Sequence, residues 1–117
     1  MDSNQICRLR DVYRAIAALD NNFQKCFGLN INEAMLLCTL NEKGQLTSGE
    51  IADCLGLSCS NTSKVIASVE KQGLLRRRMG KEDRRQMNFS LTKKGTEMLS
   101  KVKCDAIELP EVLQKIV

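Results

Sequence analysis

The chain has 117 residues, with 43% hydrophobic and 27% charged side chains, a balance that predicts a single globular domain and excludes a disordered chain. It contains no His and no Trp, and aromatics are 3% of the residues. These absences argue against His-based catalytic triads, His-bearing zinc sites and single-strand binders that stack bases on aromatic platforms. The formal net charge of +4 is unevenly placed: residues 74–94 hold eight basic residues against Glu82 and Asp83, a net +6, while the remainder carries −2. A basic segment on a mildly acidic body is the footprint of a polyanion contact. A solvated charged hairpin would look the same in composition.

From residue 5 to 27, Ile6, Leu9, Val12, Tyr13, Ile16, Leu19, Phe23 and Phe27 recur at three- and four-residue steps. This spacing predicts a helix roughly 33 Å long, whose apolar stripe requires a partner. Gly28 is its stop signal, and Asn32 is the expected N-cap of a second helix running to about Glu42. Thr47 and Glu50 have capping-box spacing for a short helix that ends at Gly56. Ser58 caps the next helix, 58–72, whose inner side is Thr62, Val65, Ile66 and Val69. The period then changes to two. Residues 75–79 and 87–91 read as strands around a charged loop, Gly80 to Arg85. Thr92 opens a helix with Met98, Leu99, Val102 and Ala106 on its apolar side. Pro110 opens a short last helix with Val112, Leu113, Ile116 and Val117. The fold class is therefore mainly α with a small β-hairpin, with residues 30–95 as a central lobe flanked by helices at 1–28 and 96–117.

Six cysteines occur, at positions 7, 26, 38, 54, 59 and 104, without a C-x-x-C pair. No secretory leader pattern is visible at the N-terminus, so a cytoplasmic protein with free thiols is expected. Cys38 and Cys54 lie in apolar patterns and are expected to be small buried hydrophobes. No apolar run is long enough to span a membrane.

Residues 48–66 carry the strongest signal. Ile51-Ala52, then Gly56-Leu57, then Thr62, Val65 and Ile66 give the layout of two helices crossing steeply over a tight turn. On the outer face of the second helix stand Ser60, Asn61, Lys64 and Ser68, with Ser58 and Cys59 at its start. No acid interrupts this face before Glu70. Asn and Lys can read base edges, and Ser and helix-terminal amides can hold phosphates. The hairpin fits as a wing: Arg77, Lys81, Arg84 and Arg85 supply cations, and Asp83 can fix Arg85 for entry into a narrow minor groove.

Together, Glu70-Lys71-Gln72-Gly73-Leu74-Leu75, Asp83-Arg84-Arg85 and Ser90-Leu91-Thr92-Lys93-Lys94-Gly95, following this helix-turn-helix, resemble the MarR family of bacterial winged-helix regulators. The resemblance covers about residues 29–99, and both ends are short for this family. It implies a homodimer with intertwined first and last helices, binding a pseudo-palindromic double-stranded operator, usually as a repressor. Helix 58–72 would enter the major groove and wing 76–90 the minor groove. It also implies a small aromatic effector between the dimer helices and the DNA-binding lobe, which nothing in these residues specifies. One branch senses peroxides through a first-helix cysteine, a position that Cys7 resembles; Cys59 is a second redox candidate. The rival readings are a winged-helix module that binds protein, and an enzyme. No nucleophile–base pair, phosphate-cradling Gly loop or metal-ligand spacing supports the enzyme, and no cofactor or metal is expected.

Overall fold

A computed structural model describes residues 1–80, 85–104 and 107–117. Its helices are α1 (Ser3–Phe27), α2 (Ile31–Lys43), α3 (Ser48–Leu55), α4 (Cys59–Lys71), α5 (Lys93–Cys104) and α6 (Glu111–Gln114). Its strands are β1 (Gln45–Thr47), β2 (Leu75–Met79) and β3 (Met87–Leu91). Two compact units result: Met1–Ile31 with Ala106–Val117, and Asn32–Asp105. None of the helices among the described residues is long and apolar enough to cross a membrane.

In the first unit, α1 starts two residues earlier than its apolar period announces. Asp2 accepts from the Gln5 N–H while the Gln5 side chain accepts from the Asp2 N–H, a reciprocal cap that satisfies two orphan amides. α6 packs on α1 and buries Leu113. Half of the α1 stripe stays open: Ile6, Leu9, Tyr13 and Ile16 are exposed, Val12, Leu19 and Phe23 are half-buried, and Phe27 alone is buried. The Ile31 N–H, at the start of α2, donates to Asp20 Oδ1 at 2.7 Å. The expected N-cap, Asn32, instead lies within the helix. That bond joins residues eleven positions apart, so no local pattern announces it.

The second unit is built on Leu36, Leu37, Leu40, Ile51, Val69 and Leu74, all fully or almost fully buried. Each such side chain contributes roughly 1.5–3 kcal/mol by leaving water. The α3 N-terminus has the capping box expected of Thr47 and Glu50. Its C-terminus closes on Gly56 at φ 67°, where a side chain would strain the left-handed backbone, and the Gly56 N–H returns to the Ala52 carbonyl. That turn sets α4 across α3, with Thr62, Val65, Ile66 and Val69 inward.

The sheet has three strands, ordered β1-β3-β2 and antiparallel, where the sequence announced only the hairpin. Three residues are too few to display alternation. β1 exists because Leu46 pairs with Phe89 of β3 and both are buried. Thr92 then ties the sheet to α4 and α5. Its hydroxyl donates to the Gly73 carbonyl at 2.6 Å and accepts from the Gly95 N–H at 3.0 Å. A Cβ on Gly95 would stand 2.0 Å from the Leu74 carbonyl oxygen, so only glycine lets α5 approach the chain this closely.

Cys38 and Cys54 are corrections to the sequence reading. All six cysteines are free and exposed. The buried stripe of α2 is Glu33, Ala34, Leu36, Leu37 and Leu40, and α3 buries only Ile51 and Ala52. Both thiols fall outside these faces.

Candidate nucleic-acid interface

The Ser58 hydroxyl accepts from the Asn61 N–H at 3.1 Å, so Ser58 caps α4 as its position announced. This bond fixes the first turn of α4 with Cys59, Ser60 and Asn61 exposed, and Lys64 exposed one turn on. The face presents short hydrogen-bonding groups and one cation, beside amides whose partial positive charge favours an anion. Ser68 is also solvent-exposed, but its hydroxyl donates to Glu33 Oε2, and Gln72 Nε2 reaches the same oxygen at 3.3 Å. Glu33, nearly fully buried, thereby grips the far half of α4 from α2.

The wing is anchored to the same helix. Arg77 Nε and Nη2 each donate to the Glu70 carboxylate at 2.7 Å, a forked pair. These hydrogen bonds hold the Glu70 carboxyl below the usual carboxylate range and the Arg77 guanidinium above its ordinary value. The guanidinium also lies 5.5 Å from the centroid of the Phe89 ring. Arg77 and Arg85 are brought together in one cleft of about 310 Å³, with Ser63, Ala67, Met87 and Phe89 in its lining. Lys81, Asp83 and Arg84 lie outside the described residues. Across the hairpin mouth the Gly80 N–H donates to the Gln86 carbonyl at 2.7 Å.

The sequence reading missed Glu33 and Glu70 as partners. Glu70 had a signal: an acid at a helix end, followed by a strand of three arginines. Glu33 had none, since it meets Ser68 across 35 positions. Cys7 and Cys59 are separate exposed thiols, one on α1 and one on α4. Among the described residues no cluster of three or more His, Cys, Asp or Glu is placed to hold a metal.

The helix-turn-helix is thus joined to a three-stranded winged sheet beside this polar helix face. The MarR family model matches residues 29–87, half of the chain. This protein belongs to the MarR family. The transcriptional repressor MprA of Escherichia coli K12 is 34% identical over 84 residues, which are 70% of this chain and 48% of that protein. The chain thus spans about half the length of that curated relative. The transcriptional regulator BldR from Sulfolobus solfataricus superposes with a TM-score of 0.77 at 21% identity, covering 99% of this chain and 82% of that one. The Staphylococcus aureus MepR–DNA complex superposes with a TM-score of 0.66 at 17% identity, covering 92% and 83%. At these identities the structural matches establish the winged-helix fold for this MarR-family chain.

Proposed function

We propose that this MarR-family chain is a sequence-specific transcriptional regulator that binds a pseudo-palindromic operator as a homodimer. The observation that carries the reading is the acid-free outer face of α4, capped at Ser58, beside a wing that presents Arg85. Ser58 and Ser60 hold backbone phosphates, and Asn61 and Lys64 reach base edges in the major groove. Arg85 enters the flanking minor groove, assisted by Asp83. Lys81 and Arg84 add phosphate affinity and salt dependence. Ser68 and Arg77, whose polar groups are engaged by Glu33 and Glu70, support this surface by fixing α4 and the wing.

The partner for the open stripe of α1 is a second copy of the chain. Ile6, Leu9, Tyr13 and Ile16 form one exposed apolar face on a 25-residue helix, and Ile116 and Val117 are bare as well. Leaving such a face in water is costly, and a two-fold interface covers it on both copies at once. Residues 1–28 and 96–117 then serve dimerisation and residues 30–95 serve DNA, with half-sites about 10 bp apart. A cytoplasmic location fits this role. Repression is the favoured sign, because the relative MprA is named a repressor. A small-molecule effector would act by shifting the spacing of the two α4 helices.

The test is selection of bound duplexes from a random library at two salt concentrations. Recovery of an inverted repeat, with affinity falling steeply as salt rises, supports the reading. Purified dimer that enriches no sequence refutes it. Arg85→Ala should weaken binding to the recovered duplex without loss of fold; affinity equal to the parent's would remove Arg85 from the interface.

A further inference from the structure

Strand geometry divides the run Arg76-Arg77-Arg78 between two opposite faces. Leu75, Arg77 and Met79 stand across from Leu91, Phe89 and Met87, on the face where Leu75 and Phe89 are buried. Arg76 and Arg78 therefore project from the other face, in register with Ser90 and Asn88. Those two residues pair in turn with Gln45 and Thr47 of β1. The solvent side of the sheet thus carries two rows, Gln45–Ser90–Arg76 and Thr47–Asn88–Arg78. Among the described residues these rows hold two guanidinium groups, four neutral polar side chains and no carboxylate. Among the described residues neither Arg76 nor Arg78 forms an ion pair. An acid near this face, Glu50, is held by the Thr47 N–H at 3.0 Å on the β1 edge. β3 separates that edge from β2, so Glu50 lies about 10 Å across the sheet from the arginine strand.

We propose that this outer sheet face is a second DNA contact, which takes the sugar–phosphate backbone of the duplex outside the segment read by α4 and the wing tip. The inference rests on the operator-binding reading and extends it. Arg76 and Arg78, roughly 6.8 Å apart along the strand, each present a fork suited to phosphate oxygens. Asn88, Ser90 and Gln45 supply neutral hydrogen-bonding groups of the kind that position a protein on a backbone without reading sequence. Each protomer of a dimer would hold one such face, so the contacted duplex lengthens outward at both ends.

The experiment uses the full chain and the duplex recovered by selection, either trimmed to the inverted repeat or carrying about ten extra base pairs on each side. The double variant Arg76→Gln/Arg78→Gln is compared with the parent on both duplexes. On the long duplex the arginine variant should lose about tenfold or more in affinity, and its salt slope should fall by about 3–4, for two phosphates per protomer. On the trimmed duplex it should bind as the parent does. Equal affinity of parent and arginine variant on the long duplex overturns the inference. So does an equal loss on both lengths, since that outcome reports general charge and not a flanking contact. A parent that binds neither duplex overturns the operator-binding reading itself, and this inference with it.

Discussion

Replacing Arg77 with Ala separates two roles that the same residue could play. In the fold, its guanidinium makes two 2.7 Å hydrogen bonds to Glu70 and lies 5.5 Å from the Phe89 ring centroid. An exposed ion pair contributes about 0.2–1 kcal/mol, and an exposed cation–π contact about 0.5–1 kcal/mol. The Arg77 side chain is 50% exposed and that of Glu70 33%, so solvent screening favours the lower ends of both ranges. The expected loss is about 1 kcal/mol, or roughly 4 °C in Tm. A double-mutant cycle with Glu70→Gln, read by urea unfolding, should return a coupling of about 0.5 kcal/mol. In DNA titrations Arg77→Ala should weaken binding to operator more than to random duplex, because a displaced wing misplaces Arg85, while the salt slope stays near the parent's. A direct phosphate contact would behave differently: the slope falls by about 1 for each contact and all sequences weaken alike. Zero coupling to Glu70 together with a reduced slope would refute the positioning role and return Arg77 to the phosphates.

Three further outcomes follow from the packing. Thr62 is almost fully buried, and its hydroxyl has no hydrogen-bond partner among the described residues, so Thr62→Val should stabilise the protein by about 1 kcal/mol in urea melts, with DNA affinity unchanged. Gly95→Ala should destabilise by about 3 kcal/mol or abolish folding, because its Cβ would fall 2.0 Å from the Leu74 carbonyl; a parent-like melting curve would show that α5 can retreat without cost. Glu70 titrates below its ordinary range in the folded chain, so the unfolded state binds the extra proton and stability is lost as pH falls through the folded value. Glu70→Gln should therefore be less stable than the parent at neutral pH, with the difference closing in acid; a difference independent of pH would mean the pair contributes nothing through charge.

Local chemistry determined the elements of this protein and marked α4 as the helix proposed to face DNA. Ser58 caps α4 through a bond three residues long, and Thr47 with Glu50 caps α3 in the same way. Gly56 closes the turn between them because the backbone there needs a left-handed φ. Such interactions span one helical turn and are written in adjacent residues. The period-two pattern of Met87, Phe89 and Leu91 likewise placed β3. What the tertiary structure decided involves partners far apart in the chain. β1 forms because Leu46 meets Phe89, the start of α2 is served by Asp20, and Ser68 is turned to Glu33, none of which a local pattern records. Cys38 and Cys54 looked apolar in sequence, yet which edge of a helix is covered depends on the neighbours that arrive there. The three consecutive arginines make the same point. The sequence reading chose Arg77 among them as the DNA contact, and only the pairing register with β3 turns Arg77 to Glu70 and Phe89 and leaves Arg76 and Arg78 on the open side of the sheet.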